Sequence, residues 1–219
     1  MTVRAVVFDI GGVLEQMPGG GEPSLAFPQM LAQWEPRLRL QPGELRQRLR
    51  EMDERLRSGG KEGALGTCSE EEWQRALCEA TGMDQVQVDA FVRDFWDVYL
   101  GELNVELATY VAGLRPRYHT ALLSNSFVGA RRREQERYQF AAMADLIVYS
   151  HEEGIAKPDA RIFALTCARL GVQPGEAIFV DDAEPHIAAA RAYGMHAILF
   201  SNSQQAIAEI EARLQAQAV

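Results

Sequence analysis

The sequence predicts an α/β fold, a doubly wound parallel sheet carrying a large all-helical insertion, and three observations predict it. Residues 3–8, 118–124, 145–149, 177–181 and 196–200 are short apolar runs bounded by turn or polar residues, as buried parallel strands are. The later runs alternate with helix-period segments near 127–140, 159–170, 185–193 and 203–215, and strand–helix alternation builds parallel sheets. Residues 16–100 break this rhythm, with helical periodicity and no convincing strand. The expected division is a core of residues 1–15 and 101–219 and a helical domain of residues 16–100.

The elements follow in order. The first run, VRAVVF, leads into Asp9 and a sharp turn through Gly11 and Gly12. The loop EQMPGGGEPS (15–24) has the glycines of a hinge. Helices are expected near 25–39, 42–57, 70–81 and 84–100. Pro42 and Ser69 are helix-start residues, and Glu72, three beyond Ser69, completes a capping-box pattern. Leu45, Leu49, Met52 and Leu56 recur at helical spacing as a core-facing stripe, and Trp34, Trp73 and Trp96 read as core of the same helices. SGGKEGALGT (58–67) is a loop. Arg131, Arg132 and Arg133 read as a solvated helix face, since Glu134 and Glu136 follow. Gly171 and Gly194 stand just after helical segments, where a C′ glycine belongs. His119 and His196, in strand positions, read as structural.

Composition excludes several classes of partner. With 22 Lys plus Arg against 31 Asp plus Glu the net charge is −9, which argues against nucleic acid. No run approaches the roughly 18 apolar residues of a membrane span, and the N-terminus has no cleavage signature. Cys68, Cys78 and Cys167 are too few and scattered for a disulfide framework or a CxxC metal site. A soluble, cytoplasmic protein is expected, with monomer and homodimer both open.

In open α/β sheets the ligand crevice lies beyond the carboxyl ends of the strands. There the sequence delivers Asp9, then Ser124-Asn125-Ser126, then Asp181-Asp182, with Lys157 in the constrained loop Gly154–Pro158 near the same edge. Each alone has a plain structural explanation: a helix cap for the acids, a turn for Ser-Asn, a surface position for the lysine. Together they supply a nucleophilic carboxylate, a hydroxyl, an ammonium and a carboxylate pair, the set that phosphoryl transfer calls for.

These residues carry a resemblance. VVFDIGGVL, ALLSNS, GIAKPDARIF and IFVDDAEPHIAAARAYGM resemble, in order, the four motifs of the haloacid dehalogenase-like (HAD) hydrolases, and cover the α/β core nearly end to end. The resemblance implies a Rossmann-like core beneath a helical cap, as in the helical-cap (subfamily I) phosphatases. It implies a Mg²⁺-dependent phosphatase of a small phosphorylated metabolite, in which Asp9 forms an aspartyl-phosphate. It implies a metal held by Asp9, the Gly11 carbonyl and Asp182, with Asp181 helping as a ligand or through water. Ser124 and the following amide, that of Asn125, would grip the phosphate oxygens, and Lys157 would offset charge and orient Asp9.

One departure stands out. The resemblance implies a second aspartate two residues after the nucleophile as general acid and base, and here that residue is Gly11. Such assistance is worth about 10²–10⁴-fold. Glu15, Glu184 and His186 are the candidates to replace it; His186 stands where the resemblance implies asparagine. Three readings follow: the phosphatase, a catalytically weak module binding a ligand or protein, and a metal-free 2-haloacid dehalogenase. The pair Asp181-Asp182 argues against the dehalogenase, and Ser124 and Lys157 argue against decay. Nothing in the helical insertion names the substrate.

Overall fold

The structure, a computed structural model, describes residues 2–16 and 23–216. The expected hinge glycines at 19–21 lie outside the described residues. Five parallel strands form the central sheet: β1 (Ala5–Phe8), β4 (His119–Ser124), β5 (Leu146–Tyr149), β6 (Ala177–Asp181) and β7 (His196–Leu199), in the order β5-β4-β1-β6-β7. A second, two-stranded sheet pairs β2 (Glu15–Gln16) antiparallel with β3 (Glu102–Leu103).

Strand side chains alternate between two apolar layers, as the pleat requires. Val6, Phe8, Leu122, Ile178 and Val180 meet α5 (Val105–Leu114) and α11 (Ser203–Gln215) through Leu107, Val111 and Ile210. Ala5, Val7, Leu123 and Phe179 meet α9 (Ala160–Leu170) and α10 (Glu184–Tyr193) through Phe163 and Ile187. Two short helices, α7 (Phe140–Met143) and α8 (Ser150–Glu153), precede and follow β5. β1 lies between β4 and β6, so Asp9, Ser124 and Asp181 emerge side by side at one sheet edge.

Helices α1 (Pro23–Arg37), α2 (Glu44–Ser58), α3 (Glu70–Thr81) and α4 (Gln85–Leu100) surround an apolar cluster of their own, and Trp34, Trp73 and Trp96 are buried in it. The capping box at α3 is present in both halves: the Glu72 amide donates to Ser69 Oγ (3.1 Å), and the Ser69 amide donates to Glu72 Oε2 (2.9 Å). The helical segment's two connections to the core run antiparallel as β2 and β3. Gly101 makes that crossing possible: its φ is +61°, and a Cβ there would stand 2.4 Å from the Gln16 carbonyl oxygen.

Three details differ from the sequence reading. Helix α5 has no counterpart in it, although Asn104 caps the helix by accepting from the Leu107 amide (3.2 Å). α2 begins at Glu44, two residues beyond Pro42, with Gly43 at φ +86° in front of it. Of Arg131, Arg132 and Arg133 on α6 (Ala130–Tyr138), only Arg132 matches a solvated face. Arg131 lies over the Tyr149 ring and pairs with Glu152 (2.5 Å), and Arg133 lies over Trp96 and pairs with Glu70 of α3. The long aliphatic stems and planar heads of these arginines suit them to cover aromatic surface.

Candidate active site

The site is assembled around one ammonium. Lys157 has no exposed side-chain surface, and its Nζ donates to Asp9 Oδ1 (2.7 Å), Asp181 Oδ2 (2.7 Å) and the Leu123 carbonyl (2.9 Å). Three donors meet three acceptors, so the buried charge is fully hydrogen-bonded. Asn125 fixes the lysine's backbone from both sides: its Nδ2 donates to the Lys157 carbonyl and its Oδ1 accepts from the Lys157 amide, each at 2.8 Å. Both polar ends of the Asn125 side chain are thereby engaged.

Asp9 is 6% exposed and takes both its hydrogen bonds on Oδ1, from Lys157 and from the Ile10 amide (2.7 Å). Among the described residues nothing donates to Oδ2. Burial pushes its pKa up against the pull of Lys157, and the charge of Asp181 adds to the rise, to about 7. Asp181 behaves oppositely. Burial works to raise it, but the His186 hydrogen bond, the Lys157 charge and hydrogen bond and the Ala183 amide together carry it down to about 2. His186 Nδ1 lies 3.0 and 3.1 Å from the two Asp181 oxygens. A carboxylate only accepts, so that nitrogen carries the proton.

A cavity of about 300 Å³ opens beside this cluster. Gly11, Gly12, Ser124, Asn125 and Asp182 line it from the core, and Phe27, Tyr99 and Leu100 line it from α1 and α4. Ser124 is 4% exposed at the end of β4, and Asp182 is exposed at the rim. Partial burial and then the charge of Asp181 raise the Asp182 pKa. Gly12 has φ +79°, and a Cβ there would stand 2.1 Å from Asp182 Oδ2; the carboxylate occupies the space that glycine leaves. A Cβ on Gly11 would meet nothing within 4 Å, and its φ is not in the left-handed range.

The remaining candidates separate by position. Glu15 lines the cavity, Glu184 is exposed at the first turn of α10 and does not line it, and His186 reaches Asp181. His119 and His196 are exposed at the amino ends of β4 and β7, away from the site. His151 meets Ser126 Oγ at 2.9 Å. The sequence reading missed Glu134, which lines the cavity at 1% exposure. It sits one helical turn into α6, where an outward position is expected from its charged neighbours. The signal for it is the start of α6 directly after the Ser124–Ser126 turn, which aims the helix's first turn back at the site.

One ligand atom from each of Asp9, Asp181 and His186 lies within 4.8 Å of the others. Lys157 already occupies the space between the two carboxylates, and an ammonium and a metal ion repel. Asp182 and the Gly11 main chain offer oxygen at the cavity, alongside Ser124, Glu15 and Glu134, and Asp9 offers it from the adjoining cluster. No helix among the described residues is long and apolar enough to cross a membrane.

Comparison with known proteins bears on this geometry. Residues 3–194 match the family model described as haloacid dehalogenase-like hydrolase. Acyl-CoA dehydrogenase family member 10 from Mus musculus is 30% identical over 96% of this chain, which spans 19% of that protein's length. D-ribitol-5-phosphate phosphatase from Bacteroides thetaiotaomicron is 27% identical over 56% of this chain and 61% of its own. A HAD family enzyme from Bacteroides thetaiotaomicron, solved in complex with magnesium and inorganic phosphate, superposes with TM-score 0.65 at 20% identity, covering 91% of this chain and 94% of that one. A 2-haloacid dehalogenase from Pseudomonas syringae superposes with TM-score 0.64 at 20% identity, covering 91% and 86%. At such identities the superpositions show the fold, while the family match spans β1 through β6 and all but the last residue of the four motifs: the chain belongs to the haloacid dehalogenase-like hydrolases.

Proposed function

We propose that this hydrolase is a Mg²⁺-dependent phosphatase of a small phosphorylated metabolite, with Asp9 as its nucleophile. The observation that carries the reading is the buried Lys157 ammonium, bonded to Asp9 Oδ1 so that among the described residues Oδ2 is left without a donor, next to a cavity lined by Gly11, Ser124 and Asp182. Attack by Oδ2 forms a bond to phosphorus as the ester oxygen leaves, giving an aspartyl-phosphate that water then cleaves. Lys157 offsets the charge that gathers when one anion approaches another, and Ser124 with the Asn125 amide faces the phosphate oxygens. Asp181 and His186 act through Lys157: they hold its ammonium in place and touch no substrate.

The donor set fits Mg²⁺, a hard cation that prefers oxygen. Asp9, the Gly11 carbonyl and Asp182 would hold it, and the room that Gly12 leaves for the Asp182 carboxylate supports this assignment. Bound there, it would supply positive charge to the phosphate and orient it. Asp181, with both oxygens already hydrogen-bonded, is assigned to the lysine. Helices α1–α4 serve as a cap domain that supplies the far wall of the cavity through Phe27, Tyr99 and Leu100. The three free thiols, Cys68, Cys78 and Cys167, fit a reducing cytosol.

Hydrolysis of p-nitrophenyl phosphate with and without Mg²⁺ tests the reading. Turnover that requires the metal supports it. Activity indifferent to EDTA, or halide release from 2-chloropropionate, would replace it with the dehalogenase.

A further inference from the structure

The cavity carries two carboxyls to which the phosphatase reading gives no role. Glu15, from β2, is 6% exposed, and its Oε1 is the single buried side-chain polar atom among the described residues without a hydrogen-bond partner. Glu134, from α6, is 1% exposed and accepts a short hydrogen bond from the Tyr149 hydroxyl. Both line the same cavity as Phe27 and Tyr99. The Glu15 carboxyl is pushed up first by burial and then by the charges of Glu134 and Asp9.

Neither nearby arginine is free to answer them. Arg131 is committed to Glu152 and to the Ile147 carbonyl (3.0 Å), and Arg137 reaches Asp97 (3.8 Å). The cavity thus presents an orphaned carboxyl oxygen, two carboxyls that resist ionising together and two aromatic rings. A hydroxyl would satisfy the acceptor and leave that resistance as it is. An ammonium satisfies both, with three donors and a charge that aromatic faces also attract.

We infer that Glu15 and Glu134 form the leaving-group subsite of this cavity and select phosphate monoesters whose alcohol carries a cationic amine. The inference rests on the phosphatase reading and names its substrate class. The anionic phosphate binds at Ser124 and the Asn125 amide, and the ammonium binds between the two glutamates.

The test compares 2-aminoethyl phosphate with 2-hydroxyethyl phosphate, two esters of nearly the same size, on the full chain with Mg²⁺. In the wild type kcat/KM should favour the amine by at least about tenfold, the scale of one hydrogen bond to a charged group. Glu15→Gln and Glu134→Gln should each bring the ratio toward unity, chiefly through KM. Both amides keep the shape of the glutamate, and the amide oxygen of Glu134→Gln can still accept from the Tyr149 hydroxyl; thermal melts confirm folding. A wild-type ratio near one, or a ratio that neither variant changes, overturns the subsite. Equal losses on both esters that grow with leaving-group pKa would identify a proton donor instead, and also overturn it. p-Nitrophenyl phosphate has no amine, so its Mg²⁺-dependent turnover without an amine preference sinks the subsite and spares the phosphatase. If no ester is turned over, calorimetric titration with 2-aminoethylphosphonate decides: binding weakened by Glu15→Gln supports the subsite, and its absence overturns it.

Discussion

Gly11→Asp should raise turnover on esters with poor leaving groups. An alkoxide needs a proton as it departs, a nitrophenolate hardly does, and position 11 carries no group to supply one. The structure accepts the change: a Cβ at Gly11 meets nothing within 4 Å, the residue lines the cavity, and its φ is outside the left-handed range. A well-placed general acid is worth about 10²–10⁴-fold, and a carboxyl newly set among untuned neighbours should deliver about 10², or roughly 2.7 kcal/mol of barrier. The assay is phosphate release from a series of aryl and alkyl phosphates with Mg²⁺, with kcat plotted against leaving-group pKa. Wild type should give a steep negative slope, and Gly11→Asp should flatten it by lifting the alkyl end. Gly12→Ala is the contrasting control, because its Cβ would stand 2.1 Å from Asp182 Oδ2 on a backbone at φ +79°. It should lose at least about tenfold in turnover. A folded Gly11→Asp with no gain, beside a flat wild-type slope, would refute the reasoning and show that a group already present donates the proton.

Other expectations follow from the same geometry. Lys157→Met strands the Asp9 and Asp181 carboxylates without their cation, and urea unfolding should show a loss of about 3–5 kcal/mol. Its turnover should fall by at least about 10³-fold. His186→Ala removes one of the partners of Asp181 and should cost about tenfold in kcat with little change in KM, because it acts through Lys157. Stability of the metal-free protein should fall as pH rises. Burial and then the charge of Glu134 raise the Glu15 pKa from 4.5 to about 10, so the folded state holds a proton that the unfolded chain releases. Between about pH 6 and about pH 8.5 that costs about 3 kcal/mol, and thermal melts of Glu15→Gln should lose that part of the slope.

The sheet was legible because a buried parallel strand must be apolar on both faces, and all five runs in the sequence carry that mark. Asp9, Ser124 and Asp181 were legible because each stands where an apolar run stops, and strand order brings them to adjacent strand ends; Lys157 was legible as the lysine of the constrained loop Gly154–Pro158. The helix at Val105–Leu114 was hidden: its one signal, Asn104, lies close to a glycine that reads as a turn. Glu134 was hidden by its neighbours, since a charged stretch such as RRREQER suggests solvent on every side, and only the placement of α6 against the cavity shows which residue turns inward. Arg131 and Arg133 were misread for the same reason. Their aromatic partners Tyr149 and Trp96 come from distant segments, and pairings of that kind have no local signature. The clash between Gly12 and Asp182 is likewise a matter of tertiary approach, invisible in a dipeptide of glycines.

The central claim is covalent chemistry at Asp9, and acid-quenched mass spectrometry of the protein mixed with p-nitrophenyl phosphate and Mg²⁺ tests it most directly. The account predicts a phosphate adduct on the peptide containing Asp9. The adduct should accumulate during turnover, because its breakdown lacks a dedicated base, and it should vanish together with activity in Asp9→Asn. Steady hydrolysis without an adduct, or an Asp9→Asn variant that keeps more than about a tenth of the activity, would contradict it.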